Sequence, residues 1–162
     1  MTLTLTALLA AVLLQPALVD TQPKTDFSGS WTMVAARSQS PLQTPPVTSQ
    51  THNITQADGS LIIETIRNDR RITTTYTIEA EPKPTAGSMG AGPARAYWDG
   101  AKLVTERAGT VQGQTVTIKV VRELSADGKE MTVQSLVAVQ HGYTLRGARN
   151  YGTATDVFTR VP

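Results

Sequence analysis

Phe27-Ser28-Gly29-Ser30-Trp31 and Tyr97-Trp98-Asp99-Gly100-Ala101-Lys102-Leu103-Val104 are the stretches whose reading decides the fold. The first sets an apolar anchor, a glycine and a tryptophan at the start of a strand. A closed antiparallel sheet needs such a set there: an aromatic side chain plugs one end, and glycine lets the backbone pass close beside it. In the second, Asp99-Gly100 is a two-residue hairpin signal, because both residue types tolerate positive φ.

Outward from these strings the pattern is β throughout. Ser60-Leu61-Ile62-Ile63-Glu64-Thr65-Ile66, Arg71-Ile72-Thr73-Thr74-Thr75-Tyr76-Thr77-Ile78, Gln114-Thr115-Val116-Thr117-Ile118-Lys119-Val120-Val121 and Met131-Thr132-Val133-Gln134-Ser135-Leu136-Val137-Ala138-Val139 alternate with period two and are rich in β-branched residues. Turn signals recur at nearly even spacing: Asp58-Gly59, Asn68-Asp69, Asp99-Gly100, Ala108-Gly109, Asp127-Gly128 and His141-Gly142. Even spacing argues for a meander in which consecutive strands pair. The expectation is an all-β chain forming a single up-and-down antiparallel β-barrel of roughly eight to ten strands. It occupies residues 26–162, behind an N-terminal signal segment.

Two segments break the rhythm. Residues 38–48 carry Pro41, Pro45 and Pro46, and so cannot pair as a central strand. Residues 81–93 are rich in proline and glycine. Each reads as a surface loop or as a lid over a barrel mouth.

All the charged side chains, fifteen basic and thirteen acidic, lie after Val19. Residues 1–19 are apolar over a length that suits a cleaved signal peptide rather than a membrane span, although no Lys or Arg precedes them. The mature chain is then periplasmic or secreted, with no stable membrane span. It has no cysteine, so packing and closed hydrogen-bond ladders alone must hold it. A net charge of +2 with few aromatics, not interleaved with basic residues, argues against nucleic acid as a partner.

Phe27-x-Gly29-x-Trp31, Trp98-Asp99-Gly100-x-Lys102-Leu103-Val104, Val121-Arg122-Glu123-Leu124 with Asp127-Gly128-Lys129, and a strand ending Val157-Phe158 stand in an order that resembles the lipocalin-like (calycin) superfamily. Within it, the fatty-acid-binding branch is the most similar, over about residues 26–160. The resemblance implies a barrel whose interior receives a carboxylate on two arginines and a tyrosine. Arg122 stands at the first of these positions. The other two fall at Asp156 and Phe158, which departs from the family's pattern, and the proline-rich segment 38–48 does not suit the family's helical lid. An Asp156 paired with Arg122 would make the lumen internally neutral; an outward Asp156 would leave Arg122 free for an anion.

Parity supports Arg122 independently, since Val116, Ile118, Val120 and Arg122 share one strand face. The bland alternative is a strand-end arginine paired with Glu123 or Asp127. Tyr76 shares a face with Ile72 and Ile78, so it points inward, as packing or as a ligand contact. Trp98 either stacks on a ligand or caps a barrel end. His141, near Tyr143 and Arg146, is the one grouping that resembles an acid/base set. His52 and His141 otherwise read as surface residues beside turns, too far apart for a metal site.

The candidate ligand contacts are therefore Arg122, Tyr76, Trp98, Asp156 and His141. No catalytic residue, metal or cofactor is assigned. The reading is an exported protein, monomer or homodimer, that buries a small, mostly apolar or amphipathic ligand, at about 25 cal/mol per Å² of apolar surface. Two alternatives stand beside it: a barrel isomerase or hydrolase using Tyr76, His141 and Arg122, and a structural envelope module with a filled interior. The lumen separates the three. An open apolar cavity with few polar groups favours binding, bonded titratable groups favour catalysis, and no cavity favours the structural module.

Overall fold

The computed structural model describes residues 25–80, 94–111, 114–140 and 151–162. The apolar segment 1–19, the segment 81–93 and the His141-Gly142 turn signal lie outside them. Nine strands close into one barrel in sequence order: β1 (Gly29–Met33), β2 (Gln50–Ala57), β3 (Ser60–Arg67), β4 (Arg70–Glu79), β5 (Arg95–Asp99), β6 (Lys102–Val111), β7 (Gln114–Leu124), β8 (Glu130–Gln140) and β9 (Tyr151–Arg160). Trp31 opposite Arg160 and Met33 opposite Phe158 join β1 to β9, so neither edge is left unpaired.

Consecutive strands pair as the turn spacing implies, with one local departure. β5 runs parallel to β4, with Thr77 opposite Arg95 and Glu79 opposite Tyr97; every other pair is antiparallel. An ion cluster staples this junction on the outer wall. Arg95 bonds Glu106 at 2.5 Å and faces Glu79 at 3.9 Å, while the Tyr97 hydroxyl donates to Glu106 at 2.9 Å.

The turns explain themselves chemically. Asn68 and Asp69 both take positive φ, 44° and 67°, in the two-residue β3–β4 loop, where only small polar side chains and glycine are comfortable. Two expectations shift. The β5–β6 loop is Gly100-Ala101, one residue later than read, because Asp99 still pairs with Lys102. Ala108-Gly109 is no turn at all; it lies inside β6, opposite Thr117 and Val116.

Along the barrel axis the interior has two parts. One end is solid: Phe27, Trp31, Leu61, Leu103, Met131 and Phe158 have no exposed surface. Trp31 donates its indole N–H to the Phe27 carbonyl at 2.9 Å, and the Arg160 guanidinium covers its ring at 4.3 Å. The glycine of the motif serves this arginine: Gly29 has φ 126°, and a Cβ there would stand 3.0 Å from Arg160 Nη1. Arg160 in turn donates to the Ser28 carbonyl at 2.6 Å. The other end holds a cavity.

The segment between β1 and β2 lies against β9. It forms two 3-10 turns, Ala35–Arg37 and Ser40–Leu42. Gln39 N–H donates to the Thr155 carbonyl, Thr155 N–H returns a bond to the Gln39 side chain, and Val157 N–H donates to Ser38 Oγ. Arg37 pairs with Glu130. This is a clamped loop, extended by Val47 into the core.

Candidate functional site

The cavity has a volume of about 830 Å³ and is walled mainly by β2–β4 and β6–β9. Period-two alternation selects its lining. Arg107, Ile118, Val137 and Gly152 form one row around the wall, and Arg122, Val133 and Asp156 form a deeper one. Ser40 and Gln43 of the clamped loop complete it. The lumen is therefore open. It is also more polar than an Ile/Val/Leu lining, with Arg67, Arg70, Arg107 and Arg122 against a single carboxylate, Asp156.

Arg122 is buried, as strand parity implies. Its Nη1 donates to Thr105 Oγ1 at 2.9 Å, and its buried Nε finds no acceptor among the described residues. Burial lowers its pKa to about 10, with Tyr76 opposing that shift electrostatically. No ion pair joins Arg122 to Glu123 or Asp127 among the described residues; Glu123 pairs with Lys102 instead.

Asp156 points inward and yet does not pair with Arg122, which departs from both alternatives set out for it. Ser40 donates to it twice, from its backbone N–H at 2.8 Å and from its hydroxyl. Tyr76 is buried on the lining. Trp98 stands away from the cavity, at the solid end, with its ring 6.1 Å from Phe27 and a smaller hollow beside it. His141 lies outside the described residues.

His52 was read as a surface residue and is instead buried on the lining. Its ring stacks on Phe158, with centroids 4.5 Å apart. Gln50 Oε1 accepts from Arg67 Nε at 2.9 Å, which turns the amide nitrogen toward His52 Nε2, 2.6 Å away. His52 Nε2 is then the acceptor, so the network assigns the ring proton to Nδ1, which has no partner. Burial, reinforced by the Arg122 and Arg67 charges, lowers the imidazole pKa to about 3, so the ring is neutral. The sequence hid this residue because β2 reads Gln-Thr-His-Asn-Ile-Thr, polar on both faces, and its parity shows no contrast.

No family model matches the sequence, and no curated protein does. Among solved structures, the chain is similar to the REP1-NXSQ fatty acid transporter, with a TM-score of 0.51 and 15% identity over 83% of this chain and 96% of that one. It is similar also to wild-type fluorescent protein UnaG, with a TM-score of 0.49 and 17% identity over 83% and 97%. The likeness lies in the fold, a closed β-barrel whose strands follow one another in sequence order.

Proposed function

We propose that the protein binds a small amphipathic anion in the barrel lumen, with the acidic group at Arg122 and the apolar body against the β7 and β8 walls. The carrying observation is Arg122 itself: a buried guanidinium on a cavity of about 830 Å³, with one side-chain hydrogen bond and no carboxylate partner among the described residues. A buried cation without an anion costs free energy, and a ligand carboxylate offsets that cost through the planar fork. Val133, Val137 and Val139 on β8, with Ile118 and Val120 on β7, supply the apolar side. A neighbour of the same fold being a fatty acid transporter accords with this. Catalysis finds less support: Arg122 bonds Thr105, Asp156 bonds Ser40 and His52 contacts Gln50, so no two of these titratable groups bond each other.

Native mass spectrometry of protein purified from its own host tests the reading. A retained acidic lipid-like mass, lost in Arg122→Met, is expected; an empty wild-type barrel that also fails to bind dodecanoate overturns it. Export belongs to the same proposal and rests on the apolar segment 1–19. N-terminal sequencing of exported protein then begins between about Leu18 and Gln22, and intact Met1 in that fraction refutes it.

A further inference from the structure

The open end of the cavity carries positive charge that no lining acid among the described residues neutralises. Arg67 ends β3 and Arg70 begins β4, opposite each other across the Asn68-Asp69 turn. Arg107 stands two strands further round the wall, on β6. All three line the cavity and are exposed. Arg67 gives its Nε to Gln50, while Arg70 and Arg107 bond no acidic side chain among the described residues. Asp156, the single acid among the described lining residues, accepts from Ser40 on both carboxylate oxygens.

The strand register sets the spacing between Arg107 and the deep charge. Arg107 lies opposite Ile118, and Ile118 is four residues before Arg122 on β7. At about 3.3 Å per residue the two levels are separated by about 13 Å of barrel wall. That wall is apolar, with Ile118 and Val120 on β7 and Val133 and Val137 on β8. Two cationic poles with an apolar stretch between them form the complement of a molecule with an acid at each end.

We infer that the lumen takes a dianionic amphiphile, one acidic group against Arg122 and the second, across an apolar spacer, against Arg107 toward the rim. This rests on the lumen-binding reading and adds the ligand's second charge to it. Arg107 is solvated, so its contribution is modest and falls as salt rises. Arginine's fork still favours a carboxylate over an uncharged end group.

Dodecanoate and dodecanedioate share a chain length and differ at one end, so titration calorimetry with the pair isolates the rim. The wild type should bind the diacid about threefold to fivefold tighter than the monoacid, the worth of one solvated charge pair. The Arg107→Gln variant should bind both alike, with dodecanoate affinity and urea midpoint unchanged. Equal affinities for the two acids in the wild type overturn the inference and leave lumen binding standing. Equal weakening of both acids in the variant also overturns it, since the rim would then serve general attraction. If neither acid binds the wild type, the lumen-binding reading falls, and the inference with it.

Discussion

Replacing Arg122 by methionine should make the protein more stable and a poorer receptor. A guanidinium pulled down to about 10 from its ordinary, more basic value is penalised by about 3 kcal/mol in its charged form. The direction of the shift sets the pH range. The folded pKa is depressed, so at any pH below about 10 the side chain is charged in both folded and unfolded states, and the full penalty is present at pH 7. Against it stands the hydrogen bond to Thr105, worth about 1 kcal/mol net. Methionine fills similar volume without charge, so Arg122→Met should gain about 1–2 kcal/mol.

Urea unfolding at pH 7 reads this directly. With a slope near 2 kcal/mol/M, the midpoint rises by about 0.5–1 M and the slope stays the same. Ligand separates the two roles of the side chain. Dodecanoate at a hundred times its Kd should stabilise the wild type by about 2.7 kcal/mol, and a tenfold affinity loss in Arg122→Met removes about 1.4 kcal/mol of that. A variant destabilised by more than about 1 kcal/mol would refute the reasoning, because it would mean that Arg122 is already compensated inside the empty barrel.

Two other substitutions probe the frame around the cavity. Trp31→Ala should cost about 3–5 kcal/mol in urea unfolding, through lost burial and the cavity left behind; a cost under about 1 kcal/mol removes Trp31 from the barrel-plugging role that its zero exposure gives it. His52, depressed to about 3 from the 6.5 of the unfolded chain, contributes stability that is fully present above about pH 6.5 and lost as pH falls toward 3. Between pH 7 and 4.5 that loss amounts to about 2.5 kcal/mol, so His52→Met should show a pH-dependent loss smaller than the wild type's by that amount. Parallel pH profiles in urea unfolding would mean that His52 is not the buried neutral group.

Strands with an apolar face were legible because alternation states both type and orientation. Residues 60–66, 71–78, 114–121 and 131–139 match β3, β4, β7 and β8 within a few residues, and parity placed Arg122 and Tyr76 inward. β2 was opaque for the opposite reason: polar residues on both faces leave no contrast, and His52 was misplaced. The parallel β4–β5 pair was equally hidden, since strand direction across the connection 81–93 is not written in either strand. Ala108-Gly109 misled because a turn-like dipeptide can sit inside a long strand when register across β6 and β7 supplies its partners. The Ser40–Asp156 bonds join residues 116 apart, and no local pattern foreshadows them.

Those bonds explain why Asp156 and Arg122 share a row without pairing. Arg122, Val133 and Asp156 stand in one row across β7, β8 and β9, so Val133 separates the two charged positions by two strand spacings, about 10 Å at the backbone. A short aspartate does not span that gap as a longer side chain does. The clamped loop instead brings Ser40 to Asp156, where its N–H and hydroxyl satisfy the carboxylate from the loop side. Phe158 lies two residues on along the same face, where it stacks on His52 and closes the solid end. One position thus fastens the loop and the next fills the core. Arg122 is left as the deep cation of the lumen, with Arg67, Arg70 and Arg107 the other arginines among the described residues of its lining.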